Sequence, residues 1–299
     1  MPANDRKISV LMIQMGPCSM DKEKNIQIML DLFHEGMAKY NPQFAVFPEL
    51  STTPYFAGKF DKSFFSWAEP IPGPTTRRFA EEAKEHSCYI VLPIFERGNV
   101  NGEFYNAVTL LNPDQGLTKG TLLTRGSTVD RYRKCHVPCG MLTAGTDEKV
   151  FFRPGQGFVK FSTPIAELGC LVCYDRSFPE AWRVLALAGV EIVFVPTASA
   201  PKNRKDSFIM ELRTAALQNG LFVVACNKGG LEELGGKTFF GQSCAINPFG
   251  DVIAEGPADE GPAFISVLLD MSELEHYATS YHYFRDRRTE LYKTIIEGD

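Results

Sequence analysis

Short, continuous apolar runs recur along this chain with segments of helical length between many of them, and that alternation limits the possible folds more than any other feature. The runs, rich in Val, Ile, Leu and Phe, lie at Ile8–Ile13, Phe44–Phe47, Tyr89–Phe95, Ala107–Leu111, Gly169–Cys173, Glu191–Pro196, Leu221–Ala225, Ser243–Ile246 and Ala263–Leu268. A run of this kind, with little polar alternation, suits a strand covered by helices. Helices are expected at Lys22–Lys39, Thr75–His86, Pro179–Ala188 and Lys205–Asn219. The third carries a capping-type Ser177 ahead of Pro179 and Glu180, and stops at Gly189. The pattern predicts an α/β architecture with helices packed on a sheet. Asn247–Asp251, between two apolar runs, reads as a hairpin turn and makes the sheet mixed.

A chain of 299 residues that is 44% hydrophobic can bury a sizeable core. It shows no linker-like stretch and no internal repeat, so one domain over 1–299 is expected. The formal net charge of -5 provides no footprint for nucleic acid or an anionic membrane. No run approaches the roughly 20 apolar residues of a membrane span, and no export signal is legible at the N-terminus. A cytoplasmic protein with reduced cysteines is the expectation.

Eight cysteines make the sorting of their surroundings informative. Cys135, His136 and Cys139, with Cys170 and Cys173, superficially supply zinc ligands. On an extended strand, however, Cys170 and Cys173 would point to opposite faces, which disfavours a metal knuckle. Cys88 and Cys226 read as small buried hydrophobes. Cys173 stands apart, because it ends an apolar run just before Tyr174-Asp175-Arg176-Ser177 and the helix. Backbone N–H groups there would favour a thiolate and hold an oxyanion. A core cysteine at a strand end is the plainer reading. Glu49 closes the Phe44–Phe47 run, and Lys134 lies in the basic segment Asp130-Arg-Tyr-Arg-Lys-Cys-His136.

Glu49 in FPE, Lys134 in YRKCHVP and Cys173 in CYDRSFPEAWR, in that order, resemble the catalytic triad of the nitrilase superfamily of carbon–nitrogen hydrolases. GQSCAINPFGDVIAEG and YFRDRRTELY resemble the family's late hairpin and C-terminal segment. The resemblance implies a four-layer α-β-β-α sandwich with mixed sheets. It also implies assembly into a homodimer or homotetramer, with a tail from about 275 to 299 in the contacts. Glu49 would be the general base, Cys173 the nucleophile, and Lys134 with the Tyr174 N–H the oxyanion donors. Glu148 is similar to a second family glutamate that contacts the lysine. No metal or organic cofactor is implied, and the partner is a small amide or carbamoyl substrate.

The stretch after Cys173 is similar to that of N-carbamoyl-amino-acid hydrolases, in which the residue matching Arg176 contacts the substrate carboxylate. A salt bridge from Arg176 to Asp175 or Glu180 is the alternative. Thr197, just past the Glu191–Pro196 run, and His136 are further substrate-binding candidates, although His136 could equally orient the lysine loop or be structural. Tyr174 and Ser177 stand where the D-specific enzymes usually have Asn and a second Arg, and the loop Cys139–Thr146 is shorter than theirs. Phe56, Phe60, Phe64 and Phe65 either line an apolar pocket or pack on the core or a neighbouring subunit. The expected reaction is hydrolysis of an N-carbamoyl amino acid, of the D-type, to amino acid, ammonia and carbon dioxide. The alternative is an amidase of the N-carbamoylputrescine, β-ureidopropionate or aliphatic carboxamide kind. A catalytically silent scaffold and a zinc protein are the readings from other classes.

Overall fold

The computed structural model describes residues 6–140, 147–200 and 202–297. In chain order its strands are β1 (Lys7–Gln14), β2 (Phe44–Val46), β3 (Tyr89–Arg97), β4 (Phe104–Asn112), β5 (Gly116–Leu117), β6 (Gly120–Leu122), β7 (Ser127–Val129) and β8 (Tyr132–Arg133). Then follow β9 (Val159–Ser162), β10 (Glu167–Cys170), β11 (Ile192–Thr197), β12 (Phe222–Asn227), β13 (Gly229–Glu232), β14 (Lys237–Phe240), β15 (Cys244–Ile246), β16 (Val252–Glu255) and β17 (Ala263–Asp270). The helices are α1 (Lys22–Tyr40), α2 (Pro74–Glu85), α3 (Glu148–Phe151), α4 (Pro179–Leu187), α5 (Lys202–Asn219), α6 (Ser272–Ser280) and α7 (Lys293–Glu297).

Two mixed sheets result. The first runs β17-β1-β2-β3-β4-β5 with β8 also on β4; the second runs β16-β15-β12-β11-β10-β9-β6-β7. Within the first, β1, β2 and β3 are parallel, whereas β17 lies antiparallel to β1 from Lys7↔Asp270 to Gln14↔Ala263. The expected hairpin joins β15 to β16, and the Asn247 N–H donates to the Asp251 carbonyl at 3.0 Å.

Alternation along each strand sends one set of side chains between the sheets and the other outward. Val10, Met12, Phe44, Val46 and Val91 meet Leu168, Ile192, Phe194, Phe222 and Val224 in the layer between the sheets. Leu11, Ile13, Ala45, Ile90 and Leu92 face outward onto α1 and α2. Val193, Val195, Val223 and Ala225 face outward onto α4 and α5. This is the four-layer α-β-β-α arrangement expected, and it explains why the central strands read as unbroken apolar runs.

Helix α1 shows the local logic. Its buried positions Ile26, Met29, Leu30, Phe33 and Met37 form one stripe, the Asp21 carboxylate accepts the Lys24 N–H at 3.2 Å, and Asn41 at φ 43° ends it. Gly36 lets the helix approach β1 closely, since a Cβ there would stand 2.5 Å from a Leu11 methyl. At α4 the capping expectation fails. Phe178 is its N-cap with no side-chain bond, and the Ser177 hydroxyl instead joins Arg204 at 2.8 Å and Glu211 at 3.3 Å.

The Gly169–Cys173 run is also shorter than expected. Strand β10 ends at Cys170, which is buried between the sheets, and Cys173 opens a 3₁₀ turn over Cys173–Ser177. Residues 141–146, most of the short loop after the lysine segment, lie outside the described residues.

Candidate active site

The site gathers where strands of both sheets end. Glu49 follows β2 and Cys173 follows β10 by a few residues, and each is placed by a left-handed residue that turns the chain sharply: Leu50 at φ 51° and Cys173 itself at φ 49°. Non-glycine residues rarely take that conformation, and where they do the surrounding structure imposes it.

Lys134, after β8, is fully buried and lies between two carboxylates. Its Nζ donates to Glu49 Oε1 at 2.8 Å and to Glu148 Oε2 at 2.7 Å. Burial works against the ammonium, yet the Glu148 and Glu49 charges outweigh it and hold the Lys134 pKa above its ordinary value. The Glu148 carboxyl is pushed up by burial, against the pull of Lys134. Glu49 is further held by the Asn106 amide, which donates to Oε1 at 2.7 Å, and by the Ala198 N–H, which donates to Oε2 at 2.9 Å. The Tyr55 hydroxyl donates to Glu148 Oε1 at 2.7 Å.

Cys173 keeps part of its surface open, and the charges of Glu49, Lys134 and Glu148 all act on its sulfur. The depressed thiol expected from the following turn is corrected here. Burial, followed by the Glu49 charge, pushes it up to about 12, and Lys134 and Arg176 only partly oppose them. The resting nucleophile is a thiol beside a carboxylate able to take its proton.

A second network ties the lysine segment to the nucleophile turn. The fully buried Asp175 accepts the Tyr132 hydroxyl at 2.7 Å, the Val172 N–H at 3.0 Å and the His136 N–H at 2.8 Å. His136 Nδ1 also lies 2.8 Å from Asp175, and its ring stacks on Phe178 with centroids 3.7 Å apart. His136 is therefore engaged in orienting the lysine segment. Tyr174 is exposed and packs edge-on against Phe178, beside an open cavity lined by His136, Pro138, Cys139, Phe152 and Tyr174.

Two of the residues expected to bind substrate make contacts within the protein. The buried Arg176 donates through Nη1 to the Cys173 carbonyl at 2.8 Å, while its Nε pairs with Glu211 of α5 at 3.2 Å. Arg176 thus makes a salt bridge, but with Glu211 rather than Asp175 or Glu180. Thr197 is closed to solvent and its hydroxyl bonds the Val195 carbonyl at 3.0 Å; this strand end serves the site through the Ala198 N–H instead. Of the four phenylalanines, Phe56 and Phe64 are buried, and Phe56, Phe64 and Phe65 pack against Phe151 of α3. They brace the helix that carries Glu148, which the Asp147 N–H fastens to the Ala57 carbonyl at 2.8 Å.

Tyr55, Asn106, Tyr132 and Asp175 were not singled out from sequence as parts of the site. Only Asn106 had a local signal, a polar residue immediately before the Ala107–Leu111 run. Behind Tyr55 lies a further buried pair. Lys228 Nζ stands 3.3 Å from Glu232 Oε2 and donates to the Thr53 carbonyl at 3.0 Å. Glu232 accepts the backbone N–H groups of Tyr55 and Cys18.

The model of the carbon–nitrogen hydrolase family matches residues 10–279 of the chain. An N-carbamoylputrescine amidase of Arabidopsis thaliana is 32% identical over 308 residues, covering 98% of this chain and 97% of that protein. A citrullinase of Francisella tularensis is 33% identical over 270 residues, covering 87% and 88%. A crystal structure of a carbon–nitrogen hydrolase from Helicobacter pylori G27 superposes with a TM-score of 0.86 at 26% identity, covering 98% of this chain and 99% of that one.

Proposed function

The chain belongs to the carbon–nitrogen hydrolase family and hydrolyses non-peptide carbon–nitrogen bonds, and from that premise we propose that its substrate is an N-carbamoyl amine with a terminal ureido group. The observation that carries the choice is the similarity, along most of the chain, to an N-carbamoylputrescine amidase and to a citrullinase. Arg176 lies around the nucleophile turn, with Nη1 on the Cys173 carbonyl at 2.8 Å and 3.7 Å from the Cys173 sulfur, and Nε 3.2 Å from Glu211. The named substrates of two relatives, N-carbamoylputrescine and citrulline, both carry a ureido group at the end of an alkyl chain.

Glu49 takes the Cys173 proton as the sulfur attacks the carbamoyl carbon. The oxyanion is held by Lys134 and the Tyr174 N–H. Glu49 returns the proton to the departing nitrogen, then takes one from the water that cleaves the thioester-like intermediate. Whichever nitrogen leaves first, the resulting carbamic acid loses carbon dioxide, so the products are amine, ammonia and carbon dioxide. Exposed apolar residues on the tail, Leu291, Ile295 and Ile296, support assembly with further copies of the chain. Among the described residues no helix is long and apolar enough to cross a membrane.

The test is ammonia release from N-carbamoylputrescine, citrulline, N-carbamoyl-β-alanine, N-carbamoyl-D- and L-α-amino acids and a simple carboxamide. The highest kcat/KM is expected on a ureido compound lacking an α-carboxylate beside the ureido nitrogen. Preference for an N-carbamoyl-α-amino acid, or for the carboxamide, would overturn the assignment. Cys173→Ala is expected to abolish turnover and the covalent adduct seen by intact mass.

A further inference from the structure

On the outer face of the first sheet, away from the triad, two histidines converge on one carboxylate. His34 lies near the middle of α1, Glu82 in the last turn of α2, and His86 immediately after it. Glu82 Oε2 is 2.6 Å from His34 Nε2 and 3.7 Å from His86 Nε2, and the three atoms all lie within 4.8 Å of one another. We propose that His34, Glu82 and His86 bind one divalent transition-metal ion of the zinc type, bridging α1 and α2.

The donor chemistry fits. Two imidazoles and a carboxylate are a common three-residue zinc set, with water completing a tetrahedron. Donors about 2.0–2.1 Å from such an ion stand about 3.3 Å from one another. From the observed 2.6 and 3.7 Å, two contacts change by less than an ångström in opposite directions, within the reach of side-chain torsions. A proton serves the cluster less well, because it joins His34 to Glu82 but leaves His86 beyond hydrogen-bond distance.

The backbone is already in place. Glu82 and His86 are one turn apart, and the His86 N–H is bonded to the Glu82 carbonyl at 3.0 Å. The fully buried Phe33 packs edge-on against the His86 ring at 5.4 Å. Phe33, Phe79 and Ala83 fix α1 and α2 on the sheet, so the ion orders little that is not already ordered. The side chain of His34 is 48% exposed, which leaves an entry path from solvent.

The experiment uses the full chain, reduced and stripped of metal, titrated with Zn²⁺ and separately with Co²⁺. One equivalent is expected to bind at micromolar concentration or tighter and to raise Tm by several degrees at saturation. His34→Ala and His86→Ala, at positions outside the core, are expected to keep the metal-free Tm and ammonia release while weakening that binding at least tenfold. The cobalt spectrum separates this site from the exposed Cys139, since thiolate ligation adds charge-transfer absorption. Unchanged affinity in both variants, binding only at millimolar metal, or a thiolate spectrum each overturns the proposal.

Discussion

Lys134 Nζ bonds the Glu49 carboxylate at 2.8 Å, and the two charges pull opposite ways on the Cys173 thiol, which burial first and Glu49 second raise and Lys134 lowers. In the proposed mechanism Glu49 opposes, as a charge, the ionisation it would carry out as a base, so the proton would move as the sulfur attacks. This arrangement differs from a preformed thiolate–cation pair and is open to direct measurement.

The thiolate absorbance of the wild type, minus that of Cys173→Ala, is expected to show no ionisation from neutral pH up to the onset of alkaline unfolding. A full thiolate signal at pH 7 would remove the role given to Glu49.

Glu49→Gln separates the two effects of this carboxylate. Removing its charge is expected to move the Cys173 titration down, while kcat falls by about 10³-fold because no base accepts the proton. A variant that lowered neither would place the base elsewhere.

Asp175→Asn replaces an acceptor that serves Tyr132, Val172 and His136 with a group that must aim an N–H at one of those donors. A loss of about 2–3 kcal/mol in denaturant unfolding is expected, in line with a buried charged acceptor becoming mismatched. The fall in kcat should exceed the change in KM, since the lysine segment and the nucleophile turn lose their common anchor.

For Lys228 and Glu232, removing one partner is expected to be worse than removing both. Glu232→Ala leaves a buried ammonium and should cost about 3–5 kcal/mol, and Lys228→Met in the same chain should recover part of that. Glu232→Ala should also lower kcat, because Glu232 holds the Tyr55 backbone and the Tyr55 hydroxyl holds Glu148.

Alkaline pH should destabilise the whole fold. Burial pushes the Cys88 and Cys170 thiols, like Cys173, up to about 12, and raises Cys226 and Cys244 as well. The stability tied to these groups is fully present below the unfolded thiol value and declines above it, because the unfolded chain gives up protons the folded chain keeps. Each contributes a fall of about 1.4 kcal/mol per pH unit in that window. Tm measured from pH 8 to 11 should drop progressively; a flat profile would contradict the burial of these thiols.

The α/β alternation and the hairpin were legible in the sequence because each has a local signature, an apolar run or a turn; the four layers and the grouping of Glu49, Lys134 and Cys173 were legible only through the family resemblance. What escaped notice is held by contacts between distant positions. Tyr55 meets Glu148 across 93 residues, Asn106 meets Glu49 across 57, and Ala198 meets Glu49 across 149. The partner of Arg176 was hidden for the same reason. Its neighbours Asp175 and Glu180 offered local partners, whereas Glu211 is brought to it by the packing of α5. The raised thiol of Cys173 was equally invisible, since burial and the approach of Glu49 exist only in the folded chain.

The pairing of β17 with β1 has a consequence for the order of events in synthesis. Strand β1 emerges first, but one of its two edges stays unpaired until residues 263–270 have been made. The sheet from which Glu49 projects therefore closes only once a strand far along the sequence has been made, a pairing of high sequence separation that costs folding speed. A chain cut short before β17 would leave that apolar edge of β1 exposed.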